Sequence, residues 1–196
     1  DADILLEELA WAQYRAAQHS ECLDTLSLLE DRLDGERPDL KHLEARCLTS
    51  VGQTTESYAL YRQLVQNDPT NDHAWAEYGI LAWELGDMAT VGRAGARLTA
   101  SAPNRYEGHL LRGIHERAFG RFDQATRHFE QAAVRSTSDV MPLILLGRTH
   151  EQAGRARQAL AVYQTAVERF PDNEHAHRLL IAARQASDSF ASAEQP

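Results

Sequence analysis

Glycine and proline recur along this chain at an interval of 34 residues, and this recurrence limits the fold more than any other feature. The first series is Gly52, Gly86, Gly120 and Gly154. The second series is Gly79, Gly113 and Gly147, and the third is Pro69, Pro103 and Pro171, with Thr137 at the intervening place. A period of this length is typical of arrays of helical hairpins, in which each hairpin packs on its neighbours along the chain.

Between these positions the apolar residues are spaced by three and four, which predicts amphipathic helices. The predicted helices cover residues 3–17, 20–33, 39–50, 54–67, 73–85, 88–101, 106–119, 122–136, 140–153, 156–169 and 174–186. Each glycine of the first series follows a predicted helix, where the chain turns through a left-handed backbone conformation. The first helix pair has Gln18 at this position instead of glycine. Asn173 is expected to cap the last helix.

The residues at the repeating positions resemble the tetratricopeptide repeat family, closely over about 38–173 and more loosely over 3–37. The third repeat carries the first-helix pattern in Trp75, Tyr78-Gly79 and Ala82, and the fifth repeat carries the second-helix pattern in Ala159, Tyr163, Ala166 and Pro171. The resemblance implies an all-α fold, a right-handed α-solenoid of five helix-turn-helix repeats plus a C-terminal capping helix. The implied divisions are a single domain over 1–186, with repeats at about 3–37, 38–71, 72–105, 106–139 and 140–173, a capping helix at 174–186 and a flexible tail at 187–196.

The resemblance also implies that the first helix of every repeat lines a concave inner surface. Aromatic and arginine side chains are common anchors in binding surfaces, and arginine can hold a carboxylate through two parallel hydrogen bonds. We therefore expect a groove for a peptide that is apolar at its centre and acidic elsewhere. The expected groove residues are Arg46, Ile80, Trp83, Leu110, Ile114, Arg117, Met141, Ile144, Arg148 and Arg178. The alternative is an inner surface that is only solvated.

Three second-helix aromatic residues, Tyr61, Phe129 and Tyr163, are expected in the core, because small residues stand opposite them in the repeat pattern. The third repeat departs from this pattern, since Gly95 stands at the aromatic position and Gly92 lies one turn earlier. We expect a large side chain to fill the space over these glycines, with Trp75 as the candidate. Local mobility of this helix and a side chain of a partner protein are the other interpretations, and an unused gap would tolerate Gly95→Ala.

The charge is uneven along the chain. The net charge is −9, and residues 1–72 account for all of it, with six Lys and Arg against fifteen Asp and Glu. An acidic chain is a poor candidate for binding nucleic acid, because affinity for phosphate backbones comes mainly from Lys and Arg. The longest apolar run, 140–146, is far shorter than the ~20 residues of a membrane-spanning helix.

No pattern in the sequence indicates catalysis, a metal or a cofactor. No two of the nine histidines are three or four residues apart, so no single helix presents a two-histidine metal site. His109, His115, His128 and His150 could meet only through tertiary packing. The two cysteines, Cys22 and Cys47, match neither a disulfide framework nor a zinc motif, and we expect two small buried thiols.

These observations favour a non-catalytic scaffold that binds a protein or peptide partner in its concave groove. Two alternatives stay open. The chain could be an accessory or regulatory domain of a larger enzyme or of a secretion or assembly protein, since its first residue, Asp1, suggests a fragment or a processed chain. It could also associate with itself. A cytoplasmic location is slightly favoured, and a periplasmic or exported one stays open.

Overall fold

The computed structural model describes residues 2–32 and 37–193, with side chains described as far as residue 187. These ranges contain eleven helices and no β-strand. The helices are α1 (Ala2–Arg15), α2 (His19–Glu30), α3 (Pro38–Ser50), α4 (Thr54–Asn67), α5 (Asp72–Glu84), α6 (Met88–Ser101), α7 (Tyr106–Ala118), α8 (Phe122–Arg135), α9 (Met141–Gln152), α10 (Ala156–Arg169) and α11 (Glu174–Ala193). Every predicted helix is present. The predicted end of the second helix at Leu33 lies outside the described residues.

The turns between paired helices follow the predicted glycines. Gly52, Gly86, Gly120 and Gly154 have φ values of +81°, +79°, +72° and +73°, in the left-handed region that favours glycine. The first turn reaches the same conformation with Ala17, whose φ is +58°, and the Gln18 N–H donates to the Gln13 carbonyl at 2.9 Å. The sequence therefore placed the atypical turn residue one position too late. Alanine is strained in this conformation because its Cβ approaches the following carbonyl oxygen.

The chain consists of two compact units, Asp1–Asp87 (unit 1) and Met88–Pro196 (unit 2). In unit 1, α1 to α5 pack one on the next, and α3 also contacts α1. In unit 2, α6 to α11 pack in the same sequential way, and α9 also contacts α7. Helices α1 and α3 in unit 1, and α7 and α9 in unit 2, therefore lie beside each other, as expected when antiparallel hairpins stack along the chain.

The second-helix aromatic residues are core residues, as the sequence predicts, because the side chains of Tyr61, Phe129 and Tyr163 are fully buried. A Cβ placed on Gly113 would lie 2.6 Å from Cδ1 of Phe129, and one placed on Gly147 would overlap the Tyr163 ring. Each glycine therefore makes room for the aromatic ring of its own hairpin. This close approach explains why the repeat combines a glycine in its first helix with a large ring in its second.

The glycines of α6 have a different role, because α7 lies directly against them. A Cβ on Gly95 would lie 2.8 Å from the backbone N of Arg112, and one on Gly92 would lie 2.7 Å from Cδ2 of His115. The space over both glycines is therefore filled, as predicted, but the closest atoms belong to α7 and not to Trp75. The absence of side chains lets two helix backbones approach each other, so no open gap remains for a partner's side chain.

The closing helix α11 begins as predicted, because the Asn173 side chain accepts a hydrogen bond from the Ala176 N–H at 2.9 Å. It continues to Ala193 instead of ending at 186. Residues 187–193 contain neither proline nor glycine, so nothing in their backbone chemistry stops the helix. The predicted flexible tail at 187–196 is thus helical as far as 193, and 194–196 lie outside the described residues.

Candidate peptide-binding surfaces

Three arginines of unit 2 lie on alternate helices along the chain. Arg117 lies near the end of α7, Arg148 lies on α9, and Arg178 lies on the closing helix α11. The helices α7 and α9 are in direct contact, and Arg117 and Arg148 are close enough for each charge to act on the other. We call Arg117, Arg148 and Arg178 the arginine surface.

Arg117 is half-buried, and burial lowers the pKa of its guanidinium group, with the neighbouring Arg148 charge acting in the same direction. No carboxylate in the described part of the chain lies within ion-pair distance of Arg117 or Arg148. The recorded polar contact of Arg148 is with His175, whose Nε2 lies 3.3 Å from its Nη2. Two cations on neighbouring helices therefore have no carboxylate in direct contact, and the nearby Glu151 carboxylate acts with them on the Tyr163 hydroxyl. This electrostatic arrangement favours an anionic ligand.

The third arginine is only weakly engaged. The Nη1 atom of Arg178 lies 4.0 Å from a carboxylate oxygen of Glu174 one turn earlier in α11, and both side chains are largely exposed. An exposed ion pair of this kind contributes little to stability, because water screens it and both side chains lose freedom. Arg178 is therefore free to exchange Glu174 for another carboxylate at small cost.

Three of the predicted apolar groove residues are not on the surface. Leu110, Ile114 and Ile144 are each only 2% exposed, because α7 and α9 lie side by side and cover the residues between them. They pack inside unit 2 and cannot contact a ligand directly, which corrects that part of the predicted groove. Met141 is half-buried and keeps some accessible surface beside them. The accessible part of this surface is thus more cationic than the sequence suggested.

Three other predicted residues, Arg46, Ile80 and Trp83, belong to unit 1. Ile80 and Trp83 lie one turn apart on α5, and both are half-buried. Arg46 on α3 is exposed, and its guanidinium carbon lies 4.8 Å from the centre of the Tyr14 ring. This cation–π contact holds the arginine at the surface in a preferred direction. Unit 1 thus offers a partner the apolar pair Ile80 and Trp83 and, on another helix, the arginine Arg46, whose direction is fixed by Tyr14.

The histidines do not assemble a metal site. Among the side chains that the structure describes, no group of three His, Cys, Asp or Glu residues could hold a metal ion. Tertiary packing does bring His109 and His128 together, with their Nδ1 atoms 3.3 Å apart. Burial is the main cause that lowers the pKa of both imidazoles. The sequence named both residues among four histidines that could meet only through tertiary packing, but it did not indicate which of them would pair.

Within the described ranges, no helix combines the length and the apolar composition needed to cross a lipid bilayer.

Comparisons with known proteins agree with this repeat architecture. A family model described as "Tetratricopeptide repeat" matches residues 116–195. No curated protein sequence matches the chain. The resemblance that the repeating residues indicated is confirmed by the family match together with the solved structures described next.

Several solved structures share the fold over most of their length. MamA from Desulfovibrio magneticus RS-1 superposes with a TM-score of 0.75 at 14% identity, over 86% of this chain and 94% of MamA. TTC0263 from Thermus thermophilus, described as a thermophilic TPR protein, has a TM-score of 0.70 at 18% identity, over 93% of this chain and 99% of its own. YrrB, described as a TPR protein with an unusual peptide-binding site, has a TM-score of 0.70 at 15% identity, over 91% of this chain and 89% of YrrB. The predicted all-α fold class of solenoid-type repeats is confirmed.

Proposed function

Because the repeat, the fold and the family match all identify tetratricopeptide repeats in this chain, we propose that it is a non-catalytic scaffold for protein interactions. Its main binding surface is the arginine surface of unit 2, which takes an acidic segment of a partner protein. The observation that carries this proposal is the pair Arg117 and Arg148, two neighbouring cations without a carboxylate within ion-pair distance in the described ranges. The surface of unit 1 around Arg46, Ile80 and Trp83 is a second contact region.

The energetic argument begins with the half-buried Arg117. Burying a cation costs free energy unless an anion or several hydrogen-bond acceptors compensate it, and Arg148 adds repulsion. A carboxylate between the two guanidinium groups would offset both costs at once. Hydrogen bonds to charged groups contribute about 1.5–3 kcal/mol each, so a carboxylate held by two arginines would dominate the affinity. Met141 and the backbone around it would supply apolar contact beside the charges.

Two further observations support this function. The binding residues lie on helices and not on loops, so the surface is formed before the partner arrives and little conformational entropy is lost on binding. YrrB, which shares the fold, is described as having a peptide-binding site. That description concerns YrrB, and it makes a peptide the reasonable first ligand to test for this chain.

The test uses a short fluorescein-labelled peptide in which Glu alternates with Leu, and a matched peptide with Gln in place of Glu. Fluorescence anisotropy should show tighter binding of the acidic peptide, and binding should weaken as salt is added. The double variant Arg117→Ala, Arg148→Ala should lose at least about tenfold in affinity, which corresponds to about 1.4 kcal/mol. Arg157→Ala is the matched control, because Arg157 is exposed on α10 in the same unit.

Two outcomes would contradict this proposal. Equal binding of the acidic and neutral peptides would show that the chain does not recognise the charge of the peptide. Equal losses of peptide affinity in the double variant and in the Arg157→Ala control would show that the arginine surface is not the binding site, provided that circular dichroism shows both variants folded. Trp83→Ala, measured separately, reports on the contact region of unit 1, because Trp83 belongs to that unit.

The exposed apolar residues of α1 favour a second candidate function, self-association. Leu5 is 67% exposed, and Ile4 and Leu9 are also largely exposed on the same helix. An apolar patch of this kind is often covered by another protein surface. Light scattering over a range of concentrations would detect a dimer, and Leu5→Glu should shift it to monomer. A molar mass that equals that of one chain at all concentrations would rule out self-association.

A further inference from the structure

The two cysteines of the chain meet in the core of unit 1. Cys22 lies on α2 and Cys47 lies on α3, and their Sγ atoms are 3.0 Å apart. Both side chains are fully buried, as the sequence predicts for each of them. The Cys22 thiol also lies 3.3 Å from the carbonyl oxygen of Ala10 on α1. The pair therefore sits where three helices meet.

This position joins the first helical hairpin to the second. The two sulfur atoms belong to one cluster of buried residues, which consists of Ala10, Cys22, Leu26, Leu29, Leu40, Leu43 and Cys47. Beyond this cluster, the residues 33–36 that connect α2 to α3 are outside the described structure. A covalent bond between the sulfur atoms would fasten α2 to α3 at the centre of their contact.

We propose that Cys22 and Cys47 form an intrachain disulfide bond, and that this bond fastens the first hairpin to the rest of unit 1. The sulfur atoms are about 1 Å farther apart than the ~2.05 Å of a disulfide bond, so small rotations of the two side chains would close the gap. The bond would close a loop of 25 sequence positions, and a loop of this size removes substantial entropy from the unfolded chain.

The first hairpin has features that lower its stability, so a covalent bond would stabilise it. Its turn depends on Ala17 in a left-handed conformation, whereas the later turns have glycine at the corresponding position. Its helix α1 leaves Ile4, Leu5 and Leu9 largely exposed, so much of the apolar surface of this helix is not buried by the described part of the chain. A covalent link to α3 compensates for these weaknesses.

The bond forms by exchange with a small disulfide such as oxidised glutathione. One cysteine thiolate attacks the small disulfide, which gives a mixed disulfide and releases one glutathione thiolate. The second cysteine thiolate attacks the protein sulfur of the mixed disulfide and releases the second glutathione thiolate. The two cysteines thus lose two protons and two electrons, and the glutathione disulfide gains them as two thiols.

Burial determines when this exchange takes place. Burial raises the pKa of both thiols, most strongly that of Cys47, so little thiolate forms in the folded unit. The exchange therefore occurs during folding or while the first hairpin is open. Once formed, the bond is shielded from reductants by the same burial, which is the behaviour of a structural disulfide.

Mass spectrometry tests the bond directly. The full chain is refolded with a mixture of oxidised and reduced glutathione, blocked with iodoacetamide in guanidinium, and digested with trypsin without reduction. Cleavage after Arg15, Arg32, Arg46 and Arg62 releases residues 16–32 and 47–62, which should be recovered as one linked species. Recovery of both peptides as separate alkylated species, or only as links between molecules, would overturn the proposal.

Thermal unfolding then tests what the bond does. The melting temperature of the oxidised chain should exceed, by roughly 10 °C, that of a chain that has been reduced with dithiothreitol in guanidinium and refolded with the reductant present, because the buried bond is reached only in the unfolded chain. Cys22→Ala, Cys47→Ala is the control, and its melting temperature should not respond to dithiothreitol. A linked species with an unchanged melting temperature would overturn the stabilising role. An equal response of the control would show that dithiothreitol acts elsewhere.

Discussion

At the scale of single residues, we expect an added methyl group at Gly95 to destabilise the protein more than one at Gly92, the other glycine of α6. The added Cβ would lie 2.8 Å from the backbone N of Arg112 and 3.2 Å from the carbonyl carbon of Leu111. Both are backbone atoms of α7 that cannot rotate away. Although alanine is the better helix former by about 1 kcal/mol, Gly95→Ala should lower the free energy of unfolding by about 1–3 kcal/mol. Urea denaturation followed by circular dichroism measures this change.

Gly92→Ala provides the matched comparison for that prediction. At Gly92 the obstacle is the ring of His115, a half-buried side chain that can move, so the loss should be smaller than at Gly95. If Gly95→Ala were neutral or stabilising, the helices α6 and α7 would have to lie farther apart than the structure has them. A larger loss at Gly92 than at Gly95 would indicate that the His115 ring is fixed.

The glycines in the turns and the glycines of α6 that pack against α7 differ in how far the sequence could predict their roles. The turn glycines follow a local rule of backbone conformation, so their positions could be read from their recurrence alone. The partner of Gly95 depends on which helix comes to lie against α6, and this is a tertiary property. The left-handed Ala17 was missed for a related reason, since the repeat pattern is shifted by one position in the first turn.

At the scale of helices, the hairpin of α7 and α8 should lose stability as the pH falls. The pKa of His109 is lowered by burial and by the charges of Arg135 and Arg112. That of His128 is lowered by burial, Arg112, His109 and Arg127, while Glu116 acts in the opposite direction. An imidazole with a lower pKa in the folded than in the unfolded chain contributes its full stability above the unfolded value of about 6.5.

That contribution is lost as the pH falls below about 6.5, because the unfolded chain takes up protons that the folded pair resists. The urea midpoint should therefore fall between about pH 7.5 and pH 5.5, and the fall should be smaller in the variant His109→Gln, His128→Gln. His177→Gln is the control, since His177 is exposed on α11. Equal falls in the wild type and in the double variant would assign the pH dependence to other groups.

Helix positions were largely predictable, because the spacing of apolar residues and the turn glycines mark the interior and the ends of each helix independently. The closing helix was the exception, since its end had no proline or glycine to mark it and its length was underestimated. The pairing of His109 with His128 could not be read from either helix alone. Such cross-helix contacts depend on how far one helix is shifted along the other.

At the scale of the whole molecule, the candidate site was predicted in part. The repeat put Arg117 and Arg148 on first helices and Arg178 on the closing helix, and the structure has them on α7, α9 and α11, because the position within a repeat is a local property. It failed for Leu110, Ile114 and Ile144, which proved to be buried between α7 and α9. A helix in a stacked array is covered by neighbours on more than one side. Which apolar residues remain exposed therefore depends on the angle and spacing between helices. The period of the sequence does not determine this angle or this spacing.

The stacking itself leads to the last prediction, which concerns Gly147→Ala. The added Cβ would overlap the fully buried ring of Tyr163, so the variant should lose about 1–3 kcal/mol of stability. In an array where each helix packs on its neighbours, such a loss is felt most in the hairpins around it. All three tryptophans, Trp11, Trp75 and Trp83, belong to unit 1, whereas circular dichroism reports on the helices of both units.

Gly147→Ala should consequently lower the urea midpoint more by circular dichroism than by tryptophan fluorescence. Ala45→Gly is the reciprocal control, because Ala45 occupies the corresponding repeat position in unit 1 and packs in one cluster with Tyr61. This second variant should shift the fluorescence midpoint at least as much as the dichroism midpoint. Equal shifts by both probes in both variants would mean that the chain unfolds as one cooperative body. The nearest-neighbour description of its stability would then be wrong.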